Sequence, residues 1–425
     1  MAQKAIREAD GKQMIARLLK DYTDGKYTIE NKFISVGPDT DLKKLLSKYK
    51  WLEKEKLVVK PDQLIKRRGK SKLLLLNASW KEAEKWIKER MNKPITVGTV
   101  TGFLDHFIVE PFIPHKENDE YYLAIISKRE GDEILFHHEG GINVGDVDAK
   151  AVRLIVPIGE YSKSADIEKK LLSKVPADRK KLIAGFIEGM FKFYADLNYA
   201  YLEINPFVVT GNKIYPLDLA AKLDDTAEFV SSQKWGAIDF PSPFGRTLSK
   251  EEAYIEELDS KTGASLKLTV LNPEGRVWTM VAGGGASVIF ADTITDLGFM
   301  SEMANYGEYS GDPNEEFTYK YAKTIIDLMT RKKNPKGKFL LIGGGIANFT
   351  DVANTFKGIV RALREYKKQL QDNKVKIYVR RGGPNYKEGL RIMRELGNEL
   401  GVPIEVYGPE THMTKIVAMA LKGGK

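Results

Sequence analysis

The sequence predicts an α/β protein whose second half is a parallel, doubly wound sheet. Four apolar, strand-like segments alternate with amphipathic helical segments between residues 276 and 423. Glycine-rich turns follow three of these strands, as GGGAS, GGGIANFT and RRGGPN. Continuous apolar strands that alternate with helices are typical of a parallel sheet with helices on both faces. Since ligands bind beyond the carboxyl ends of such strands, the three turns indicate a binding edge.

The strand and helix units follow one another along the chain. They read RVWTMVAGGGASVIFADTITDLG, KFLLIGGGIANFTDVANTFKGIVRALREY, VKIYVRRGGPNYKEGLRIMRELG and IEVYGPETHMTKIVAMALKG.

The length and the turn residues of the chain predict more than one domain. At 425 residues the chain exceeds what one hydrophobic core ordinarily organises, so we expect two or three domains. The clearest boundary is Trp235–Arg246, WGAIDFPSPFGR, where two prolines and two glycines interrupt helix and strand patterns alike. Before it the elements are mixed, with strand-like segments at LVVKP, KLLLL, FIVEPF, YYLAIIS and YLEINPFVV.

Composition narrows the chemistry that the chain can perform. It has no cysteine, which excludes disulfides, thiolate nucleophiles and cysteine-ligated zinc. Its N-terminal residues read as a charged amphipathic helix, and no apolar run approaches the roughly 18 residues of a membrane span. We therefore expect a cytoplasmic protein. The net charge of +9 suits phosphate or carboxylate ligands. Nucleic acid is not expected, because the basic cluster KRRGK contains no aromatic residue.

The segment YLEINPFVVTGNKIYPLDLAAK predicts a β-hairpin that carries oxygen ligands. The turn TGNK is a two-residue hairpin signal between apolar runs. If Thr210 pairs with Lys213, then Asn205 lies opposite Asp218, and Glu203 shares the face of Asn205. Such side chains suit Mg²⁺, which combines one or two carboxylates with phosphate oxygens. A polar rim that binds a loop would explain the same pattern.

Two further segments of the first half predict contacts with a nucleotide. In LVVKPDQLIKRRGKSKLLLL, Lys60 ends a strand before a basic glycine turn, which could neutralise polyphosphate oxygens or form a solvated hairpin tip. In FIVEPFIPHKENDEYYLAII, Glu110 lies between apolar residues where it could contact adenine or ribose, and Glu120 opens another strand.

The segment HHEGG contains His137, His138 and Glu139, a set of metal-ligating residue types. Adjacent side chains on a strand point to opposite faces of the sheet. We therefore do not expect both histidines to bind one transition-metal ion.

The second half contains candidate anion sites. Gly283, Gly284 and Gly285 precede a helix and predict a phosphate corner, because a glycine turn exposes main-chain amides at a helix start. LIGGGIANFTD repeats this arrangement and adds Asn and Thr side chains. Arg380 and Arg381 end the next strand, where a guanidinium could bind a carboxylate through two hydrogen bonds. We expect one of them to reach the ligand and the other to be a surface charge.

These segments resemble a known family. LVVKPDQLIKRRGK, FIVEPF, HHEGG, DVDAKA, YLEINP, LDLAAK, GASLKLTVLNP, MVAGGGASV, ANYGEYSGDP, IANFT, FKGIVRAL and VRRGGPNY are similar to the amino-terminal portion of the ATP-citrate lyase family. The resemblance covers essentially the whole chain. LEINP and the glycine corners alone also suit the β subunit of succinyl-CoA synthetase.

The resemblance implies a fold, domain bounds and site residues. It implies an ATP-grasp fold of two subdomains, 1–19 with 114–245 and 20–113, followed by a flavodoxin-like, citrate-binding domain at 246–425. The implied positions are Lys60 and Arg67 for ATP phosphate, Glu110 and Phe112 for the nucleotide hinge, Glu120 for ribose, Asn205 and Asp218 for Mg²⁺, Gly283, Gly284 and Gly285 for a phosphorylated histidine, and Gly345, Asn348, Thr350 and Arg381 for citrate. Gly345 replaces the serine of animal members, which removes one hydroxyl from the citrate loop.

The resemblance also implies a partner. None of the five histidines lies in a context that matches the phosphorylated histidine of the family. In the family that residue, most of the CoA site and the citrate-synthase-like lyase module lie on the remaining portion of the enzyme. We therefore expect a second subunit that carries all three.

The implied reaction begins with ATP and Mg²⁺ and a phosphoryl group that moves to the partner's histidine. Citrate would then form citryl phosphate, CoA would give citryl-CoA, and cleavage would yield acetyl-CoA and oxaloacetate. A subunit of citryl-CoA synthetase, a succinyl-CoA synthetase β subunit and a non-catalytic citrate or nucleotide sensor remain alternatives.

Overall fold

The computed structural model describes residues 3–30, 32–65, 68–69, 71–141 and 144–423. The chain forms two compact units, Met1–Thr247 and Leu248–Lys425. The subdomain bounds proposed for the first unit stay predictions.

The first unit contains thirteen strands and eight α-helices among its described residues. The strands are β1 Gln3–Ile6, β2 Ile34–Val36, β3 Leu57–Pro61, β4 Leu75–Ala78, β5 Lys93–Val97, β6 Val100–Leu104, β7 Phe107–Pro111, β8 Glu120–Ser127, β9 Gly131–His137, β10 Val152–Pro157, β11 Tyr199–Thr210, β12 Lys213–Pro216 and β13 Leu219–Asp224. The helices are α1 Glu8–Leu18, α2 Leu42–Lys48, α3 Trp51–Lys54, α4 Trp80–Arg90, α5 Val147–Lys150, α6 Ser164–Leu171, α7 Ala177–Asp196 and α8 Glu228–Trp235.

Two antiparallel sheets with separate cores organise this unit. The larger runs β1-β13-β11-β8-β9-β10, with β12 paired to β11, and the smaller runs β2-β7-β3-β4. Helix α7 covers the larger sheet with a buried aromatic face that includes Phe186 and Phe193. Helix α4 packs on the smaller sheet through Ala83 and Ile87, and a Ser79–Glu82 capping box begins it.

The N-terminal segment differs from the sequence prediction. We predicted a continuous helix, but Gln3–Ile6 forms strand β1, which pairs with β13, and the helix begins only at Glu8. The carboxylate of Asp62 accepts the main-chain N–H groups of Glu8 and Ala9 at 2.8 and 3.3 Å. The start of α1 is therefore stabilised by a residue distant in sequence.

The predicted hairpin register is confirmed. Thr210 pairs with Lys213, and the main-chain N–H of Asn205 donates to the carbonyl of Asp218 at 3.0 Å. Asn205 and Asp218 lie where β11 changes partner from β12 to β13.

The second unit contains six strands and seven α-helices among its described residues. The strands are β14 Ser265–Val270, β15 Val277–Ala282, β16 Asn305–Ser310, β17 Lys338–Gly344, β18 Val375–Arg380 and β19 Ile404–Tyr407. The helices are α9 Lys250–Ser260, α10 Gly284–Asp296, α11 Glu315–Thr330, α12 Val352–Glu365, α13 Lys367–Asp372, α14 Tyr386–Leu400 and α15 Lys415–Lys422.

The parallel, doubly wound sheet is confirmed. Its strands run β15-β17-β18-β19, and all three pairings are parallel. Trp278 and Met280 of β15 enter one hydrophobic core, while Val277 and Val281 enter another. Both faces are therefore covered, which explains why the strand sequence is apolar throughout rather than alternating.

Two strands outside this sheet were not among the predicted units. β14 and β16 form a separate antiparallel pair. The buried side chain of Asn305, at the start of β16, donates to the carbonyl of Thr279 at 2.9 Å and accepts its N–H at 2.8 Å. A side-chain amide thus attaches the pair to β15. No helix among the described residues has the length and apolarity to cross a membrane.

Candidate functional site

Lys60 lies at the centre of a buried charge cluster in the first unit. Only 3% of its side chain is exposed, and its ammonium is 2.7 Å from Glu8 Oε1 and 2.9 Å from Glu110 Oε1. Lys12 contacts the same two glutamates at 2.8 and 2.6 Å. Both lysines also donate to the carbonyl of Leu217. The structure therefore brings together Lys60 and Glu110, two residues that the sequence analysis had selected separately.

The cluster shifts the pKa values of Glu8 and Lys60 strongly. Burial raises the pKa of the Glu8 carboxyl, but the three cations around it outweigh burial and hold that pKa well below its usual range. Burial lowers the pKa of Lys60, yet Glu110 and Glu8 more than offset it and the net shift is upward. Both groups are consequently charged at neutral pH, so Glu8 and Lys60 form an ion pair.

Arg68 connects this cluster to the predicted metal position. Its guanidinium is 2.6 Å from Glu8 Oε2, donates to the carbonyl of Pro61 at 2.7 Å and forms an ion pair with Asp218 Oδ1. Arg68 is buried, whereas 40% of the Asp218 side chain is exposed. The predicted phosphate residue Arg67 lies outside the described residues.

Asn205 and Glu120 are held by the glycine turn of HHEGG. The side-chain oxygen of Asn205 accepts the N–H of Gly141 at 2.8 Å. Gly141 has φ +86°, a conformation that favours glycine, and a Cβ there would lie 2.0 Å from Glu120 Oε2. Glu120 Oε1 is also 2.9 Å from His115 Nε2. The predicted metal and ribose positions thus share one turn.

A pocket opens next to the cluster. It encloses about 120 Å³ and is lined by Glu110, Pro111 and Ile113 on one strand end and by Tyr215–Leu217 on another. Lys12 also lines it. The predicted hinge residue Phe112 is half-buried and donates its N–H to the carbonyl of Lys56 at 2.7 Å. Apolar and charged side chains together line this pocket, and such a mixture suits a flat heterocycle joined to an anion.

The expectation that His137 and His138 diverge is wrong. Their ring centroids are 4.5 Å apart, and their ligand atoms and a Glu139 carboxylate oxygen all lie within 4.8 Å of one another. Strand β9 ends at His137, so the alternation of strand side chains does not extend to His138. The three residues form a group whose geometry could hold a metal ion.

Glu203 lies on the same strand as Asn205, as predicted. Its carboxylate accepts a hydrogen bond from the hydroxyl of Tyr201. Burial raises its pKa, and Tyr201 opposes that effect only in part. A carboxyl with a raised pKa beside a metal position is a candidate functional group.

The GGGAS corner forms a helix start in the second unit. Gly283 has φ +104° and is the N-cap of α10, while Gly284 and Gly285 begin the helix. A Cβ on Gly284 would lie 3.2 Å from both carboxylate oxygens of Glu308. A negative side chain therefore lies beside the predicted phosphate corner.

Two loops carry the predicted citrate residues. The β17–α12 loop contains Gly345, exposed Asn348 and buried Thr350. It is bonded to the β18–α14 loop, because the N–H of Ala347 donates to the carbonyl of Gly382 at 2.9 Å. The structure thus joins the loop of Asn348 and Thr350 to the loop that begins with Arg381.

The expectation that one of the two arginines is a surface charge is wrong, since Arg380 and Arg381 are both buried. Arg380 donates to three carbonyls, those of Gly344 at 2.9 Å, Thr411 at 2.8 Å and Pro409 at 3.2 Å. It also lines an open pocket of about 440 Å³. Its hydrogen-bonding capacity is largely used within the fold.

Arg381 keeps capacity for a ligand. Its Nη1 donates to the carbonyl of Gly345 at 3.0 Å, but its buried Nε has no acceptor among the described residues. The buried hydroxyl of Tyr309 has no hydrogen bond of good geometry there, although it lies close enough to Arg381 for the two side chains to interact. Burial raises the pKa of Tyr309, and the nearby charge of Arg381 opposes that effect. A carboxylate or hydroxyl ligand would satisfy such groups.

Family models match both units. Residues 2–235 match the ATP-citrate synthase ATP-grasp domain, and residues 246–423 match the ATP citrate lyase citrate-binding domain. The chain belongs to the ATP-citrate lyase family. The predicted ATP-grasp fold with a following flavodoxin-like domain is confirmed by these matches and by the parallel sheet.

Similar proteins of the ATP-citrate lyase family come from distant organisms. The chain is 57% identical over 423 residues to an ATP-citrate synthase of Bos taurus, covering 99% of this chain and 38% of that protein. It is 48% identical to the probable ATP-citrate synthase subunit 2 of Schizosaccharomyces pombe, covering 99% and 98%. An ATP citrate lyase of Methanothrix soehngenii, solved with citrate and coenzyme A, is 55% identical, covers 99% and 100%, and has a TM-score of 0.91.

Sequence reasoning missed three members of the charge cluster, namely Glu8, Lys12 and Arg68. Glu8 and Lys12 are four residues apart on α1, and such a pair ordinarily reads as an exposed helix pair. Arg68 was seen only as part of a basic turn. The signal that could have found Glu8 and Lys12 is the spacing of α1, which places both on the same helix face as the buried residue Ile15.

Proposed function

We propose that this chain is a subunit of ATP-citrate lyase that binds Mg·ATP and citrate and supports phosphorylation of a histidine on a partner chain. The observation that carries this proposal is the 55% identity, over 99% of the chain, to a protein solved with citrate and coenzyme A. The chain covers 38% of the Bos taurus protein but 98% of the Schizosaccharomyces pombe protein named as subunit 2, which supports a partner subunit that carries the remaining activity. We also propose a cytoplasmic location, as expected from the sequence.

The nucleotide would bind in the first unit. The pocket beside Glu110 would take the base, with Phe112 on the same segment and Glu120 near the ribose. Lys60 and Arg68 would neutralise the phosphates, because both cations pair with Glu8 and Lys60 also pairs with Glu110, which lines the pocket. The proposal that Arg67 assists them rests on the sequence alone.

Mg²⁺ fits the donor set of Asn205 and Asp218. Both offer oxygen atoms, which this hard cation prefers, and their main chains are bonded at 3.0 Å. Asp218 is partly exposed, as access for an ion requires. When bound, the metal would neutralise charge on the phosphates and orient them. Asp218 must then share or release Arg68, while Lys60 stays fixed by its two glutamates.

Citrate would bind in the second unit. The unpaired Nε of Arg381 and the hydroxyl of Tyr309 support a carboxylate or hydroxyl ligand there. Asn348 and Thr350 would add hydrogen bonds from the neighbouring loop, and Gly345 would contribute main-chain contacts. The Gly283–Gly285 corner would face the phosphorylated histidine of the partner through the first amides of α10.

The first proposed step, transfer of a phosphoryl group from ATP, depends on positioning and on electrostatic stabilisation of charge. The residues of the first unit position ATP so that its γ-phosphoryl group reaches the partner's histidine. Citrate then accepts the phosphoryl group to give citryl phosphate, and coenzyme A displaces phosphate to give citryl-CoA. Cleavage to acetyl-CoA and oxaloacetate would take place on the partner's lyase module.

Calorimetric titration with citrate and, in parallel, with succinate tests the proposal. Citrate binding without succinate binding supports it, and addition of Mg·ATP and a candidate partner should then give a phosphohistidine. Succinate binding without citrate binding would favour a succinyl-CoA synthetase β subunit instead. A citryl-CoA synthetase subunit is distinguished by the partner, which would form citryl-CoA without cleaving it.

A further inference from the structure

Glu8 is the common counter-ion of three cations. Its Oε1 lies 2.8 Å from the ammonium of Lys12 and 2.7 Å from that of Lys60, and its Oε2 lies 2.6 Å from the guanidinium of Arg68. Only 2% of the Glu8 side chain is exposed. A carboxylate this enclosed is not available to a ligand, so any role in the site must act through its neighbours.

The position of Glu8 is itself fixed from two sides. Its main-chain N–H donates to Asp62 Oδ1 at 2.8 Å, at the first turn of α1. Asp62 directly follows β3, the strand that carries Lys60. The helix that carries Glu8 and Lys12 is therefore held next to the end of that strand by hydrogen bonds to the Asp62 carboxylate as well as by the ion pairs.

Each of the proposed phosphate-binding cations is shared between Glu8 and a second carboxylate. Lys60 lies between Glu8 and Glu110, and Arg68 lies between Glu8 and Asp218. Glu110 lines the pocket, and Asp218 is 40% exposed. The second carboxylates thus lie on the open side of the cluster, while Glu8 lies on the closed side.

We propose that Glu8 is a positioning residue of the nucleotide site, which keeps Lys60 and Arg68 directed toward the phosphates when the outer carboxylates engage a ligand. This inference rests on the proposed function. When a metal ion takes Asp218, Arg68 loses one of its two partners, and the pair with Glu8 holds it in place. Without Glu8, three neighbouring cations would repel one another and separate.

Binding of the whole nucleotide and of its uncharged part should respond differently to Glu8. Glu8→Gln keeps the shape of the side chain but removes its charge, so we expect Mg·ADP to bind about tenfold more weakly or worse, since a charged hydrogen bond is worth at least that factor. Adenosine should bind as it does to the unaltered chain, because the base contacts the strand end at Glu110 and Pro111. Calorimetric titration of the full chain measures both.

Glu133→Gln is the matched control. Glu133 is a buried glutamate of the same unit that pairs with Lys128 and Arg153 at 2.8 Å and does not line the pocket. Removal of the Glu133 charge should leave the binding of Mg·ADP unchanged. If Glu8→Gln does not fold, Glu8→Asp provides the test. Its side chain keeps the negative charge but is shorter, so it should weaken the binding of Mg·ADP more than the binding of adenosine.

The outcomes separate this inference from the proposed function. Equal loss of Mg·ADP and adenosine would make Glu8 merely structural, and unchanged Mg·ADP binding would overturn its positioning role. Either result leaves the proposed function standing if the unaltered chain binds Mg·ADP. If the unaltered chain binds no Mg·ADP, the nucleotide site itself is overturned.

Discussion

The side chain of Asn305 pairs with the main chain of Thr279 as a strand would. Its amide donates to the Thr279 carbonyl and accepts the Thr279 N–H, at 2.9 and 2.8 Å. Asn305 is completely buried, and β15 and β16 belong to different sheets. One side chain therefore supplies hydrogen-bond partners for two buried main-chain groups of Thr279, in the place where a neighbouring strand would otherwise supply them.

Asn305→Ala should lower the free energy of unfolding by about 2–4 kcal/mol, because two hydrogen bonds are lost and two buried groups remain unsatisfied. Urea denaturation followed by circular dichroism measures the change. Asn398→Ala, at an exposed position of α14, should change stability by less than about 0.5 kcal/mol. Similar effects of the two substitutions would contradict the structural role of Asn305.

Asp10→Asn should stabilise the chain at pH 7.5 but not at pH 4. Burial and then the charge of Asp62 raise the pKa of Asp10 to about 6, and its Oδ2 has no hydrogen bond among the described residues. The folded chain thus binds this proton more tightly than the unfolded chain, so stability falls as pH rises from about 4 to 6. We expect a gain of about 1–3 kcal/mol.

Chemical denaturation at the two pH values measures this difference. Asp21→Asn, at an exposed position, is the control and should change stability by less than about 0.5 kcal/mol at either pH value. A gain that is equal at both pH values would show that the substitution acts through packing rather than through the proton.

Arg68→Gln should strengthen binding of Mn²⁺ in the absence of nucleotide, although it should weaken Mg·ADP. Arg68 occupies Asp218 Oδ1, so a metal ion at Asp218 competes with a guanidinium. Removal of the competitor should raise Mn²⁺ affinity about tenfold, as expected for a lost contact between charges. Electron paramagnetic resonance of free Mn²⁺ measures the affinity.

Lys12→Gln separates direct competition from a general loss of positive charge. Lys12 belongs to the same cluster but contacts Glu8, Glu110 and the carbonyl of Leu217 rather than Asp218. A gain in Mn²⁺ affinity that is equal in both variants would refute direct competition. A gain confined to Arg68→Gln would support Asp218 as the metal ligand.

Arg381→Ala should weaken citrate by about 1.5–3 kcal/mol, the usual contribution of a charged hydrogen bond. Calorimetric titration measures the change, with Arg391→Ala on the exposed face of α14 as the control. Unchanged citrate affinity in a folded Arg381→Ala variant would remove Arg381 from the site.

Arg380→Ala should act mainly on stability, because Arg380 donates hydrogen bonds to three main-chain carbonyls of the fold.

Local sequence patterns predicted those parts of the fold that depend on local signals. The turn TGNK set the register of Asn205 against Asp218, and apolar strands with glycine corners predicted the parallel sheet. The patterns failed where an element depends on contact with a segment that is distant in the sequence. The strand at Gln3–Ile6 exists because β13 pairs with it, and nothing within the N-terminal segment encodes that partner.

The candidate site was predicted in a similar, partial way. Lys60 and Glu110 stood out because a charge interrupts an apolar strand, and the structure brings them together. Glu8 and Lys12 did not stand out, because a Glu–Lys pair four residues apart on a helix has the same sequence pattern whether it faces water or a buried strand. Arg380 was misjudged because three carbonyl acceptors from separate loops converge on it.

The turn at Gly141 limits how this part of the protein can evolve. Its N–H binds Asn205, and the space where a Cβ would stand is filled by the carboxylate of Glu120. Any other residue at 141 would have to adopt φ +86°, a left-handed conformation that is strained for residues with a Cβ, and would also displace the carboxylate of Glu120. A library with all single substitutions at this position should therefore be enriched in glycine among functional clones.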